Sequence, residues 1–334
     1  MKAFIVERYG DASAVRAGDV PDPQVGDQDV LVRIHAASVN PLDLRTRNGD
    51  FKVILPYRVP FVLGNDLAGV VVAAGAGVTR FTVGDEVYAR PDKNRIGAFA
   101  ELIAIHQGDV ATKPTTLAME EAASIPLVGL TAWQALVERA NVQAGQKVLI
   151  HAGSGGVGTI AIQLAKHLGA SVATTASTSK VDLVKGLGAD VVVDYKKQAF
   201  ETVLHDYDVV LDTLGGETLD KSLQVLKPGG KVISIAGPPD PTFAKELGAN
   251  HLVRLVMTAL SFRTRQHARR RHVTYSFLFM RASGDQLREV TSLIEAGTIR
   301  PVVDRVFPFE STREALAYVE EGRAKAGKVV VRMK

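Results

Sequence analysis

Hydrophobic and polar positions along the first third of the chain follow a period of two. Val30, Val32, Ile34 and Ala36 alternate with Leu31, Arg33 and His35, the pattern of a strand with one buried face. Further strands are expected over Lys2–Glu7, Val70–Ala73, Glu86–Ala89 and Phe99–Ile105, separated by glycine turns at Gly75-Ala76-Gly77 and Gly84-Asp85. Residues 1–122 therefore read as a β-rich domain, antiparallel or a partly closed barrel. After the strand at 30–39, Asn40-Pro41-Leu42-Asp43 has the order of a helix start: Asn at the N-cap, Pro at the first helical position, an acid in the first turn.

The period changes over residues 123–280. Short apolar runs at Lys147–His151, Ser171–Thr175, Asp190–Val193, Val209–Asp212, Lys231–Ile235 and Val273–Phe279 alternate with helical patterns. That alternation predicts βαβ units with right-handed crossovers, hence a doubly wound parallel sheet in an α/β protein. Lys227-Pro228-Gly229-Gly230 reads as a turn into the fifth strand. Residues 281–334 read as helix (Asp285–Glu295), strand (Ile299–Phe307), helix (Thr312–Glu321) and strand (Gly327–Arg332).

Within the second region the stretch 145–166, GQKVLIHAGSGGVGTIAIQLAK, carries chemistry. Gly153, Gly155 and Gly158 have G-x-G-x-x-G spacing, with Ser154, Gly156 and Val157 between them. A strand pattern precedes them, and Ile160, Leu164 and Leu168 give one helix face after them. Glycines at this spacing allow a tight turn and let backbone N–H groups reach a pyrophosphate at a helix N-terminus, where the dipole favours anions.

Composition narrows the function classes. The 334 residues are 46% hydrophobic and 23% charged, ordinary for a globular protein with room for two domains. The chain has no cysteine, which excludes disulfides, thiol nucleophiles and thiolate metal sites. A formal net charge of +4 suits an anionic small ligand and does not by itself argue for nucleic acid. The N-terminus lacks a signal-peptide pattern and no apolar run is long enough to span a membrane, so a cytoplasmic protein is expected.

The run from Gly145-Gln146 through Leu149, Gly153-Ser154-Gly155-Gly156, Gly158 and Gln163 to Lys166 resembles the signature of the zinc-independent quinone oxidoreductases, the zeta-crystallin type of the medium-chain dehydrogenase/reductase superfamily. The resemblance implies a GroES-like barrel domain formed by residues 1–122 and 281–334, with the Rossmann domain 123–280 inserted into it and the active site in the cleft between the two. It also implies a homodimer through the edge strand near 273–279. Zinc-dependent relatives place a cysteine ligand, followed three residues later by an aspartate, where this chain has Asn40 and Asp43. They place Gly-His-Glu at Gly64-Asn65-Asp66 and their third ligand at Leu127. Their four-cysteine lobe is replaced by the short segment Arg90 to Gly97. No metal is therefore expected, and Asn40, Asp43 and Asn65 become candidate active-site residues, with Asn40 a candidate to donate to a substrate oxygen or to shape the pocket beside it.

The cofactor reading rests first on an absent acid. NAD-binding folds hold the ribose 2′-hydroxyl with an Asp or Glu about 20 residues past the glycines. Here the second strand ends Thr174-Thr175-Ala176-Ser177-Thr178-Ser179-Lys180. Ser177 and Lys180 suit a 2′-phosphate, so NADPH is expected. By resemblance Tyr195 and Arg323 join that phosphate site and Thr131 lies near the nicotinamide. Gly215 and Gly237, in turns at strand carboxyl ends, and Phe279, at the end of the last strand, complete the cofactor-binding candidates.

Zinc polarises an alcohol or carbonyl oxygen. Without it the substrate must accept hydride with modest help, as quinones and the C=C bonds of α,β-unsaturated carbonyls do. The chain is thus expected to be an NADPH-dependent quinone or enone reductase. Two alternatives stay open: a 2-enoyl thioester reductase, and a non-catalytic NADPH-binding structural or RNA-binding protein. No proton donor is evident. Arg254, Arg263, Arg265, Arg269, Arg270 and Arg271 form a basic run, read as a solvated helix face near a dimer interface rather than a patch for anionic lipid or nucleic acid. The expected partner is accordingly a small molecule, with no nucleic acid and no membrane span.

Overall fold

The structure, a computed structural model, describes residues 1–52 and 55–333. The chain divides into one unit of Met1–Leu130 with Arg281–Lys334 and a second of Thr131–Met280. The first boundary lies inside a helix, past the expected residue 122.

The first unit opens with strands β1 (Lys2–Val6), β2 (Val15–Asp19) and β3 (Asp29–Val39), helix α1 (Pro41–Asn48), and strands β4 (Phe61–Val62), β5 (Asp66–Ala74), β6 (Glu86–Ala89), β7 (Leu102–His106) and β8 (Val110–Thr112). Helices α2 (Met119–Ala123) and α3 (Pro126–Trp133) follow. The strand expected over Phe99–Ile105 starts late because its first residues serve another sheet. Phe99 accepts from Phe4 N–H and donates to Leu63 O, and Ala100 bridges to Ala3.

The second unit contains β9 (Lys147–Ile150), α4 (Gly156–His167), β10 (Ser171–Ala176), α5 (Val181–Gly186), β11 (Val191–Asp194), β12 (Tyr207–Asp212), α6 (Gly216–Val225) and β13 (Leu226–Ser234). It ends with α7 (Pro241–Glu246), α8 (His251–Leu260), α9 (Phe262–Arg270) and β14 (Thr274–Phe277). The strands are parallel in the order β11-β10-β9-β12-β13-β14, so the sequence reverses direction beside β9, the switch point of a dinucleotide-binding sheet. Two details differ from the sequence reading. Lys227-Pro228-Gly229-Gly230 is an irregularity inside β13 rather than a turn before it: pairing with β12 breaks off at Leu226 and resumes at Lys231, and Gly229 (φ 83°) donates its N–H to His272 O at 2.7 Å. The last strand is also shorter, Thr274–Phe277; Leu278 N–H still reaches Ser234 O at 2.9 Å, and Phe277 N–H, on the other edge, is taken by the Asp240 carboxylate at 3.1 Å.

The C-terminal segment adds α10 (Gly284–Glu295), β15 (Val303–Pro308), α11 (Thr312–Glu320) and β16 (Lys328–Arg332) to the first unit. β15 begins later than Ile299 because Ile299 N–H still closes the end of α10 onto Leu293 O and Pro301 has no N–H to give. β16 pairs antiparallel with β3, and the seven-stranded sheet runs β15-β16-β3-β5-β6-β8 with β7 also on β3. Its core joins Val32, Val39, Leu67, Val87 and Ile105 to Phe307, Leu316 and Val331 from the far end of the chain. This sheet and the inserted parallel sheet give the GroES-like and Rossmann pair that the sequence implies.

Candidate functional site

In the first unit, strand register brings distant residues to one buried point. Ser38 lies opposite Asp66 in the β3–β5 ladder, and the β16–β3 ladder, with Val329 opposite Val39, places Lys328 beside Asn40. One oxygen of Asp66, Oδ2, accepts from Ser38 Oγ at 2.8 Å, Asn40 Nδ2 at 2.9 Å and Lys328 Nζ at 3.2 Å. Its other oxygen accepts from Leu127 N–H at 2.7 Å, so Asp66 also caps the first turn of α3 from across the sheet. Lys328 Nζ donates in addition to Asn40 Oδ1.

Asp43 completes the cluster. Its carboxylate accepts from Asn65 Nδ2 and from the Asn40 backbone N–H, both at 2.7 Å. Asn40 begins α1 as the sequence implies, but the cap is made by the Asp43 side chain, since the Asn40 side chain is engaged by Lys328 and Asp66. Burial pushes the Asp43 carboxyl up to about 6, against the hydrogen bonds from Asn65 and Asn40 and the attraction of Lys328. Burial also pulls the Lys328 ammonium below the usual lysine range, against Asp66 and Asp43. The three positions that hold zinc in zinc-dependent relatives, Asn40, Asn65 and Leu127, are thus gathered around two aspartates and a lysine. Both amide hydrogens of Asn40 are committed, to Asp66 and, at 3.4 Å, to Ser38 O, and the residue is 1% exposed. With both hydrogens engaged inside the cluster, Asn40 is placed to shape the pocket wall rather than to donate to a substrate oxygen.

In the second unit, β9 ends at Ile150 and the chain turns through Ala152 (φ 51°) into α4. Gly153, Ser154 and Gly155 form the turn, and Gly155 is the N-cap. The N–H groups of Gly156, Val157 and Gly158 open the helix with no carbonyl behind them, the donors a pyrophosphate requires. A methyl group at Gly158 would lie 2.4 Å from Ala152 O, so only glycine lets helix and turn pack this closely.

At the end of β10, Ser177 precedes a short 3-10 turn over Thr178–Lys180, its hydroxyl 3.5 Å from Ser179 Oγ. Tyr195 N–H bonds to Ala176 O at 3.2 Å, which brings the Tyr195 backbone to the end of β10 beside Ser177; its ring is exposed, under Lys196 Nζ. An acid does reach this corner from elsewhere in the sequence: Asp194 accepts from Thr178 Oγ1 at 2.6 Å. That bond first, and Lys196 N–H and Lys197 after it, hold its carboxyl below the usual range, with Lys197 Nζ 3.4 Å away. Its charge is thus answered locally.

The turns after β12 and β13 are tied together beneath this surface. The fully buried Asp212 accepts from Gly215 N–H at 3.0 Å and Ser234 Oγ at 2.6 Å, and Ser234 Oγ accepts from Gly237 N–H at 2.7 Å. Gly215 (φ 69°) could not carry a side chain without meeting Ala236 O. Phe279 packs its ring at 5.8 Å on Phe243, and Thr131 is buried in α3. Arg323 belongs to the first unit, where it pairs with Glu321 at 2.8 Å and lies over Tyr318.

Residues 26–115 match the alcohol dehydrogenase GroES-like domain, and residues 187–331 match the zinc-binding dehydrogenase family. The NADPH-dependent alkenal/one oxidoreductase of Arabidopsis thaliana chloroplasts is 36% identical over 342 residues, which covers 99% of this chain and 79% of that protein. A quinone oxidoreductase from Coxiella burnetii superposes with a TM-score of 0.87 at 30% identity, covering 100% of this chain and 99% of that one. A mycobacterial protein solved in complex with NADPH gives a TM-score of 0.81 at 30% identity, covering 99% and 100%. The chain belongs to the medium-chain dehydrogenase/reductase superfamily.

Within that superfamily it is an NADPH-dependent oxidoreductase of the quinone oxidoreductase family. The family description raises zinc, and the donor set here does not fit it. Asn40 and Asn65 point amide hydrogens at carboxylates, the Leu127 side chain has no donor atom, and a lysine ammonium lies in the cluster. Among the described residues no three His, Asp or Glu side chains assemble to hold a metal ion.

This oxidoreductase also carries site residues that sequence reasoning passed over. Lys328 had no local signal, and Asp66 was seen only as the last residue of the Gly64-Asn65-Asp66 triplet, since the meaning of both comes from strand register. His151, at the mouth of the glycine turn, is fully buried. Ser222 Oγ donates to Thr218 O, so His151 Nε2–H must donate to Ser222 at 2.9 Å; Thr175 Oγ1 accepts from Ala152 N–H and donates to Nδ1 at 3.2 Å. The imidazole is therefore neutral, and burial holds its pKa down at about 4 against the pull of Asp212 and Glu201. It braces the turn through Thr175 and Ala152. The signal for it was a polar residue closing an otherwise apolar strand.

Proposed function

We propose that this oxidoreductase reduces quinones or the C=C bond of α,β-unsaturated carbonyls with NADPH, without a metal. The observation that carries this reading is the cluster in the first unit. A buried amide–carboxylate–ammonium network fills the place of the metal site, so nothing there can ionise a simple alcohol. Substrates whose own conjugation spreads the developing charge need less help. The alkenal/one and quinone activities named for its relatives support the same substrate class.

The second unit supplies cofactor recognition: Gly156, Val157 and Gly158 N–H for the pyrophosphate, and Ser177, Lys180 and Tyr195 for the 2′-phosphate. The nicotinamide supplies the hydride. Asn40, Asp43 and Asn65 act as the rigid wall of the substrate side rather than as donors, and Lys328 fixes the Asn40 amide. β14 pairs only with β13 among the described strands, and its open edge supports a homodimer.

The test is an NADPH-consumption screen over quinones, short enals and enones, 2-enoyl thioesters and, in reverse with NADP, simple alcohols. Turnover should appear with the first two groups and survive prolonged chelation. Rapid alcohol oxidation, or activity restored only by added zinc, would overturn the reading. Preference for thioesters would move it to the enoyl reductase branch.

A further inference from the structure

Helix α8 has its amphipathic face turned outward. Leu252, Leu255, Val256 and Leu260 recur at i, i+3, i+4 and i+8, the spacing that normally faces a core. Here these four and Phe262, which opens α9, are 49 to 71% exposed. The remaining exposed large apolar residues among those described are scattered along the chain, so this is the one concentrated patch. The inward side is modest: Met257, Ser261, Thr264 and Ala268, with Ser261 Oγ bonded to Met257 O and Thr258 Oγ1 to Arg254 O.

The charge beside the stripe is one-sided. No Asp or Glu occurs between Glu246 and Asp285, while Arg254, Arg263, Arg265, Arg269, Arg270 and Arg271 lie in that span. Arg265 folds back onto Ser261 Oγ and Thr258 O, and Arg263, Arg269, Arg270 and Arg271 stand in solvent. Two acids that border these helices are partnered: Glu246 with Arg139, and Asp220 3.8 Å from His267.

We propose that α8 and α9 form a docking surface for a bilayer rich in anionic phospholipid. Leu252, Leu255, Val256, Leu260 and Phe262 enter the boundary between headgroups and acyl chains, and the exposed arginines meet the phosphates. An apolar stripe flanked by uncompensated arginines is the composition of an interfacial helix. A second copy seated stripe to stripe fits poorly, because it would bring two unneutralised arginine clusters together, whereas the proposed homodimer uses the β14 edge and leaves the stripe uncovered. Single-stranded nucleic acid would use a row of aromatic rings, and the stripe is aliphatic apart from Phe262. Among the described residues no helix is long and apolar enough to cross a membrane, so the pair lies on the surface. Uptake of apolar quinones or alkenals from that surface would follow, and that consequence alone rests on the proposed substrate class.

The test is sedimentation of the full chain with vesicles of phosphatidylcholine alone and with about 30 mol% phosphatidylglycerol added. The protein should sediment with the anionic vesicles, poorly with the neutral ones, and less as salt rises. Each arginine contributes roughly fivefold, so Arg263→Gln/Arg269→Gln/Arg270→Gln should weaken binding about 100-fold. Leu252→Gln/Leu255→Gln/Leu260→Gln should abolish it, and both variants should keep wild-type NADPH turnover. Absence of binding to anionic vesicles overturns the proposal. So does a leucine variant that changes oligomeric state by light scattering, which would mean a second copy covers the stripe, or RNA binding in place of vesicle binding. Retained turnover in either event separates this failure from failure of the proposed reaction.

Discussion

Replacing Lys328 by Met is the most direct probe of the buried cluster. The lysine and Asp66 side chains are 6% and 0% exposed, and Nζ lies 3.2 Å from Oδ2. Removing one member of such a pair leaves the other charge uncompensated, at a cost of about 3–5 kcal/mol. Asn40 Oδ1 loses its donor as well, but it can rotate toward another partner, so the two costs do not add. About 4 kcal/mol is expected, nearly a thousandfold in the folding equilibrium. The double variant Lys328→Met/Asp66→Asn should recover more than half of that loss. It removes the orphaned charge, and the amide oxygen introduced in place of the Asp66 carboxylate can still accept from Leu127 N–H while the Asn40 amide flips to face it. The assay is urea unfolding of all three proteins followed by tryptophan fluorescence and circular dichroism, with kinetics beside it. The Michaelis constant for NADPH should stay within about twofold, since the glycine turn lies in the other unit, while turnover falls. A single-variant loss under about 1 kcal/mol, or a double variant no better than the single, would refute the claim that a charged lysine neutralises Asp66.

Lys180→Ala should raise the Michaelis constant for NADPH about 10- to 100-fold, the loss of one charge-assisted contact of about 1.5–3 kcal/mol, and leave NADH kinetics nearly unchanged; equal losses with both cofactors would remove Lys180 from the phosphate site. Gly158→Ala should abolish NADPH binding measured by fluorescence titration, because the new methyl meets backbone at 2.4 Å, and wild-type affinity would contradict the packing argument. His151 makes stability depend on pH: its folded pKa of about 4 lies below the unfolded 6.5, so acidification through that window favours the unfolded state by up to about 3 kcal/mol. Asp43 runs the opposite way, its folded value of about 6 above the unfolded 3.8, so its contribution is full below 3.8 and lost as pH rises through 6. Subtracting the His151→Gln curve from the wild-type curve isolates the first effect, and a flat difference between pH 6.5 and 4 would show that His151 is not held neutral.

What this sequence settled alone is what short-range physics settles. The glycines at 153, 155 and 158 needed only the apolar run before them and the helical period after them to announce a pyrophosphate turn, because tight backbone and helix N–H groups are local properties. The parallel sheet followed from strands alternating with helices, since parallel pairing requires a crossover. The missing acid after β10 was likewise legible, although the structure adds Asp194 from the next strand. Tertiary structure alone decided the rest. Lys328 and Asn40 are separated by 288 positions and meet only because β16 pairs with β3 in one register. On local sequence Asn40 is free to donate to a substrate; in the fold both its hydrogens are committed within that cluster. Asp66 reads locally as part of a turn, yet it accepts from Ser38 of β3, Asn40 at the start of α1, Leu127 of α3 and Lys328 of β16. The outward stripe of α8 is the sharpest case. Its period is the same whether it faces a core or water, and only the fold, by turning Met257 inward and Leu255 outward, settles which side is buried.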